Sequence, residues 1–221
     1  MTIMEFLGIG IALVLAITLH EASHGIVAYF LGDDTAQRDG RVTLNPLAHI
    51  DPIGTILLPG ALLMVGAPFL FGYAKPVPVN FKRLRFGRFG VALVAGAGPL
   101  INLILALGSA FLLHINGEAS TLGNDILIHS IRINIMLAIF NLLPLLPLDG
   151  GRVLHAGCPK PLQGMMENIE KYTFLILIGC TFVPLLTQQL LGYPIDILRG
   201  ILLPPYQFLL KLILTLSGHS F

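Results

Sequence analysis

Five consecutive residues near the start of the chain carry its most distinctive chemistry: His20-Glu21-Ala22-Ser23-His24. On a helix, residues four apart sit about 40° apart around the axis and about 6 Å apart along it. Both imidazoles therefore project from one face and can bind a single tetrahedral cation. Glu21 lies beside them, placed to take a proton from an attacking water. The surrounding segment, Phe6 to Leu31, is otherwise strongly apolar. Ionisable groups at membrane depth are costly without a partner and mark a functional site by default. A chance HExxH, a serious competitor on a charged surface helix, is disfavoured here on that ground.

A catalytic zinc takes three protein ligands and keeps a further position open. Few other Asp, Glu or His residues lie in or at the end of an apolar run. Asp149 does, at the close of Asn141-Leu142-Leu143-Pro144-Leu145-Leu146-Pro147-Leu148-Asp149-Gly150-Gly151-Arg152. Pro144 and Pro147 break or kink a helix there, and the two glycines let the backbone turn tightly. Charge favours the same choice. A dication with Asp149 and Glu21 both ionised sums to zero, and a neutral cluster is far cheaper to bury than an isolated dication. Competing roles for Asp149 are a helix-end residue among headgroups or a partner for Arg152. Two His and one Asp suit zinc, although such ligands also accept cobalt, iron or manganese.

The elements that must present these residues follow from composition. Of 221 residues, 55% are hydrophobic and 11% charged, and the mean hydropathy is +0.83. A soluble domain carries about 25% charged residues. This chain cannot cover a water-facing surface and reads as an all-α membrane protein. Its formal net charge of +1 gives no basic face for nucleic acid. Cys158 and Cys180 fit neither a zinc finger nor a disulfide framework. The N-terminus lacks a basic region and a small-residue cleavage site, so the first apolar run is expected to stay in the mature protein.

Six apolar segments are near the length of a membrane span: 6–31, 53–73, 89–115, 126–148, 172–191 and 195–216. The second is broken by Pro59, Gly60, Gly66 and Pro68. It either spans or forms a re-entrant hairpin. In the first case helices one and four of this series run antiparallel; in the second they run parallel. Between the first two segments lies a polar stretch in which Val42-Thr43-Leu44 is expected to form a short strand. The loop from Lys75 to Arg88 is the most basic and, by the positive-inside rule, faces the cytoplasm.

Taken together, these residues resemble the site-2 protease family, the intramembrane zinc metalloproteases. The resemblance rests on His20-Glu21-x-x-His24 paired with Asn141-x-x-Pro144-x-x-Pro147-Leu148-Asp149-Gly150. Asn45 to Thr55, Ala74 to Val79 and Ala97-Gly98-Pro99-Leu100-Ile101-Asn102 add to it. It runs from about Phe6 to Arg152. It implies that His20, His24 and Asp149 hold one Zn2+ per chain and that Glu21 is the general base. It also implies that Asn141 helps to bind the substrate carbonyl or the oxyanion, as a side-chain amide can; an interhelical hydrogen bond is its competing role. The PDZ and CBS modules common in such proteins are not expected here.

The expected organisation is a single integral membrane domain over 1–221, with a catalytic core at 6–155 and additional helices at 169–217. The expected activity is hydrolysis of peptide bonds in or near transmembrane segments of membrane proteins. The partners are then a transmembrane protein or peptide and the bilayer, with no nucleic acid. The place is the cell membrane, crossed several times. An unwound substrate strand could pair with Val42–Leu44 or Val77–Val79. The competing class is a metal-binding transporter or channel, for which broken helices at the midplane are typical; no internal repeat supports it, and a Glu beside the first His has no required role in transport. Among lesser signals, His49 and Asp51 read as loop-stabilising, Asn102 and Asn134 as interhelical bonds, and Gly96 and Gly98 as close-packing positions.

Overall fold

The computed structural model describes residues 3–66, 72–117 and 122–219. Five helices are long and apolar enough to cross a membrane. They are α1 (Ile3–Phe30), α4 (Arg88–Asn116), α5 (Leu122–Asn141), α7 (Lys160–Leu191) and α8 (Ile197–Leu216). Three shorter helices complete the order: α2 (Thr35–Arg38), α3 (Leu58–Met64) and α6 (Asp149–Gly157). A helix satisfies its own backbone groups, which is why apolar runs of this length take that form in lipid.

The two ends of the second apolar segment meet, so the segment returns to the side it left; residues 67–71 lie outside the described residues. It opens with a π-helical turn, Pro52–Leu57, which leads into α3. Asp51 caps the turn by accepting from the N–H groups of Ile53 and Gly54. On the return, Tyr73 N–H donates to the Gly54 carbonyl at 3.1 Å and Lys75 N–H to that of His49 at 2.9 Å. The Thr55 hydroxyl donates to the Tyr73 carbonyl at 3.0 Å. Pro68 lies outside the described residues.

With the chain returned to the level it left, α4 runs back along α1. The pairs His20–Asn102 and His24–Val94 mark their antiparallel register. Asn102–Asn134 and Ser109–Ser130 do the same for α4 and α5. Helices α1 and α5 are therefore parallel, the arrangement that follows from a re-entrant second segment.

The expected strand is absent: among the described residues there is no β-structure. Its backbone and side chains have other partners. Arg41 N–H bonds the Ala36 carbonyl, the Thr43 carbonyl meets Nε2 of His49 at 3.1 Å, and the Thr43 hydroxyl accepts from Asn45 N–H. Val42 packs against Gly25 of α1. His49, 1% exposed, and Asp51 thus serve the loop.

The main apolar cluster joins α3, α4, α5, α7 and α8 through Leu62, Ala106, Ile135, Leu177, Leu202 and Ile213.

Candidate metal centre

His20 and His24 project from α1 toward α4, and both are buried. Helix α4 comes close because Gly98 has no side chain. A Cβ there would lie 2.5 Å from His20 Cε1, and 2.6 Å from the Nε2 atoms of His20 and His24. Gly96 has open space around it, so only one of the two glycines singled out in the sequence makes this approach.

Asp149 arrives on a separate element, α6, which packs against α4. Helix α5 stops at Asn141, and the chain turns through Leu142–Leu148, where Pro144 and Pro147 supply no N–H to continue a helix. Asp149 is then the first residue of α6. Gly150 and Gly151 act differently from their expected role, since neither takes the positive φ of a tight turn. They let α6 lie directly on the backbone of Leu142 and Leu145, where any Cβ would collide.

One Asp149 carboxylate oxygen, Oδ2, stands 3.2 Å from His20 Nε2 and 3.4 Å from His24 Nε2. The two Nε2 atoms are 3.2 Å apart. Nδ1 of His24 lies 2.7 Å from the Val94 carbonyl, and Nδ1 of His20 lies 2.6 Å from Asn102 Oδ1. Oxygen atoms of carbonyl type only accept, so each ring carries a proton on Nδ1, and the neutral ring turns its Nε2 lone pair inward. Asp149 Oδ2 is buried with no hydrogen-bond partner. With both rings neutral, two imidazole lone pairs and a carboxylate oxygen converge. That arrangement is repulsive by itself and is satisfied by a cation. The three are the group of His, Cys, Asp or Glu side chains able to hold a metal ion among the described residues.

Glu21, half-buried, faces the loop that precedes α4. Its Oε2 accepts from Val77 N–H at 3.1 Å. Arg41 fixes the same loop through the carbonyls of Lys75 and Pro76. Asn80 N–H donates to Asp33 at 2.6 Å. With Pro76 and Pro78 lacking N–H groups, this stretch offers a visiting strand few free bonds, which weakens the expectation of edge pairing. Beside it opens a cavity of about 400 Å3 lined by Thr35 and Pro78–Lys82. Asn141 is not brought to the three converging side chains by any hydrogen bond; its amide donates to the Leu137 carbonyl at 3.0 Å. Sequence reasoning missed the bond from Asn102 to His20, although Gly98 and Asn102 are one turn apart on one face.

Comparison with known proteins bears on this geometry. The model of peptidase family M50 matches residues 124–183. YwhC of Bacillus subtilis (strain 168) is 42% identical over 183 residues, covering 79% of this chain and 80% of the relative. The chain belongs to peptidase family M50, the site-2 protease family. Rip2 of Mycolicibacterium smegmatis is 25% identical over 178 residues, 79% of this chain and 66% of that protein. The zinc metalloprotease RasP of Bacillus licheniformis is 26% identical over 151 residues, 68% of this chain but 33% of RasP. All three carry zinc-metalloprotease names. No solved structure matches the chain. Zinc is the cofactor that membership implies, and the inward-facing donor set of two nitrogens and one oxygen fits it.

Proposed function

We propose that this M50 peptidase is a zinc-dependent intramembrane endopeptidase whose ion is held by His20, His24 and Asp149. The observation that carries the assignment is the convergence of two buried Nε2 lone pairs and an unpartnered carboxylate oxygen within 3.4 Å of one another, between apolar helices. Zinc, when bound, supplies Lewis acidity toward water and the scissile carbonyl.

The rest of the reaction belongs to the chain. Glu21 takes a proton from the attacking water as its oxygen bonds to the carbonyl carbon. It then delivers that proton to the amide nitrogen as the C–N bond breaks. Val77 N–H holds one oxygen of Glu21, leaving the other oxygen for the water. Asn141 is assigned to the developing oxyanion. One of its two amide N–H groups bonds Leu137, and the second is left to donate.

The substrate class is a transmembrane or membrane-adjacent peptide segment, locally unwound because a helix hides its carbonyls. With the Lys75–Arg88 loop cytoplasmic, the parallel α1 and α5 start on the opposite side and the metal residues lie toward the cytoplasmic face. The 6–155 core holds every proposed site residue; 169–217 supplies none. No observation favours a transporter or channel.

Glu21→Gln tests the assignment. Cleavage of a reconstituted transmembrane peptide is expected to fall by about 10²–10⁴-fold while bound zinc is unchanged. Retained cleavage would remove Glu21 from its role; loss of zinc would make Glu21 part of the metal shell instead.

A further inference from the structure

Asn102 lies on α4 with no exposed surface. Its Oδ1 is 2.6 Å from Nδ1 of His20. Its Nδ2 is 2.7 Å from Oδ1 of Asn134 on α5 and 3.4 Å from the Ala16 carbonyl on α1. Asn134 is 1% exposed. Its own Nδ2 donates to the Ser130 carbonyl at 2.9 Å and lies 3.2 Å from the Ser130 hydroxyl.

The direction of each bond in this chain is forced. The Ser130 carbonyl only accepts, so Asn134 faces it with its NH2 group. That turns the Asn134 oxygen to Asn102, which must answer with its own NH2; the Ala16 carbonyl requires the same. Asn102 therefore presents its oxygen to His20, and the oxygen accepts. Two backbone carbonyls, one on α1 and one on α5, thus dictate which nitrogen of His20 carries the proton.

We propose that Asn102, oriented by Asn134, is a positioning residue of the hydrolytic site, holding His20 as its Nδ1–H tautomer with Nε2 presented to the metal. The proposal rests on the reading of His20 as a zinc ligand. A plain interhelical bond accounts for Asn102–Asn134 but not for the oxygen aimed at His20. The need for such a device is visible in the site. Asp149 Oδ2 lies 3.2 Å from His20 Nε2 and would accept a proton-bearing Nε2. That competing tautomer satisfies Asp149 but has no lone pair for a metal. Asn102 opposes it, and inside a membrane no bulk water replaces the acceptor. A ligand His whose other N–H is bound is also oriented and made more basic. His24 obtains the same support from the Val94 backbone, which no side-chain substitution removes.

The test uses the full chain in detergent with 15N-labelled histidine, as wild type, Asn102→Leu, Asn102→Asp and His20→Ala. Chelator competition gives the zinc dissociation constant, and ring 15N shifts of the metal-free protein report the His20 tautomer. An aspartate side chain has the shape of the amide and keeps an oxygen that accepts from Nδ1 of His20. Asn102→Leu is expected to move the proton to Nε2 and weaken zinc binding by about 10–100-fold. Asn102→Asp is expected to keep the Nδ1–H tautomer and the wild-type affinity. Wild-type affinity and tautomer in Asn102→Leu overturn the proposal, and so does an Asn102→Asp protein no better than Asn102→Leu, which marks a structural loss. Wild-type protein without zinc, or His20→Ala protein that keeps it, overturns the reading of the metal site instead.

Discussion

In α1, α4 and α5 the buried share of the membrane-crossing window is 33%, 44% and 33%; in α7 and α8 it is 17% each. The two groups also bury different residues. On α1, α4 and α5 many buried side chains outside the main apolar cluster are small, such as Ala12, Ala16, Ala95, Ala97 and Ala138, or hydrogen-bonded, such as Asn102, Asn134 and Ser109. Helices α7 and α8 bury mainly Leu177, Leu198, Leu202 and Ile213 within that cluster. Lipid is as apolar as leucine, so large apolar contacts hold helices together without fixing their separation closely. Small residues bring backbones together, and polar bonds then set the register. The inner helices carry chemistry that depends on placement to a fraction of an ångström, and they are built by the second method.

The largest expected effect separates glycines of the two groups. Gly98→Ala puts a methyl group into both histidine rings, and the atoms it meets include both Nε2 atoms assigned to the metal. Displacement of about 1 Å costs on the order of 10²-fold in rate. Bound zinc should fall well below one per chain, and cleavage with it. Gly179→Ala on α7 and Gly200→Ala on α8 meet nothing within 4 Å and should leave both unchanged. Metal analysis of the three purified variants is the measurement. Full zinc in Gly98→Ala would mean that the ligands do not sit beneath that residue.

That contrast also shows what the sequence makes legible. His20 and His24 share a face by spacing alone, and Asp149 follows because few other carboxylates end an apolar run. The proline break after Asn141 is equally readable, since Pro144 and Pro147 forbid a continuing helix. The choice between Gly96 and Gly98 is not, because it depends on which face of α4 meets α1. The same is true of Asn102, whose type announces a hydrogen bond but not its partner. Whether 53–73 spans or returns was open because proline and glycine permit a broken span as readily as a return. Apolarity alone places the start of the fifth segment at Tyr172, whereas α7 begins at Lys160 with polar turns outside the apolar run. The expected strand failed because nothing in the sequence tells a three-residue β pattern whether a neighbouring strand exists.

An intermediate effect concerns how the inner group is tied to the loop beside Glu21. Asp33, fully buried just beyond α1, accepts from the Thr35 hydroxyl at 2.5 Å and from Asn80 N–H at 2.6 Å, with Arg83 at 3.9 Å. Burial alone would raise its pKa; the bonds from Thr35 and Asn80 and the Arg83 charge outweigh it, and the net direction is downward. A carboxyl whose folded pKa is depressed stabilises the fold fully above its unfolded value, about 3.9. That contribution is lost as the pH falls from there through the folded value. Thermal unfolding in detergent should therefore show a drop in Tm below about pH 4 that Asp33→Asn lacks. At neutral pH the variant should be less stable by roughly 1.5–3 kcal/mol, the range for hydrogen bonds to a charged group. Identical pH profiles would mean that the loop is not held through this carboxylate.

The smallest effect decides whether the two groups are separable at all. Thr173 on α7, 1% exposed, donates its hydroxyl to the Leu146 carbonyl, in the turn that delivers Asp149. This is a polar tie from the outer pair into the turn that leads to Asp149. Within membranes such a bond contributes about 0.6 kcal/mol on average, which corresponds to about a threefold change in an equilibrium constant. Thr173→Val keeps the shape and removes the donor. If the turn is positioned by its own prolines and by Gly150 and Gly151 against the backbone of Leu142 and Leu145, zinc affinity should fall by no more than that factor. A loss as large as that of Gly98→Ala would show that α7 sets the position of Asp149. The division between a precisely built inner group and a loosely packed outer pair would then have to be redrawn through the turn itself.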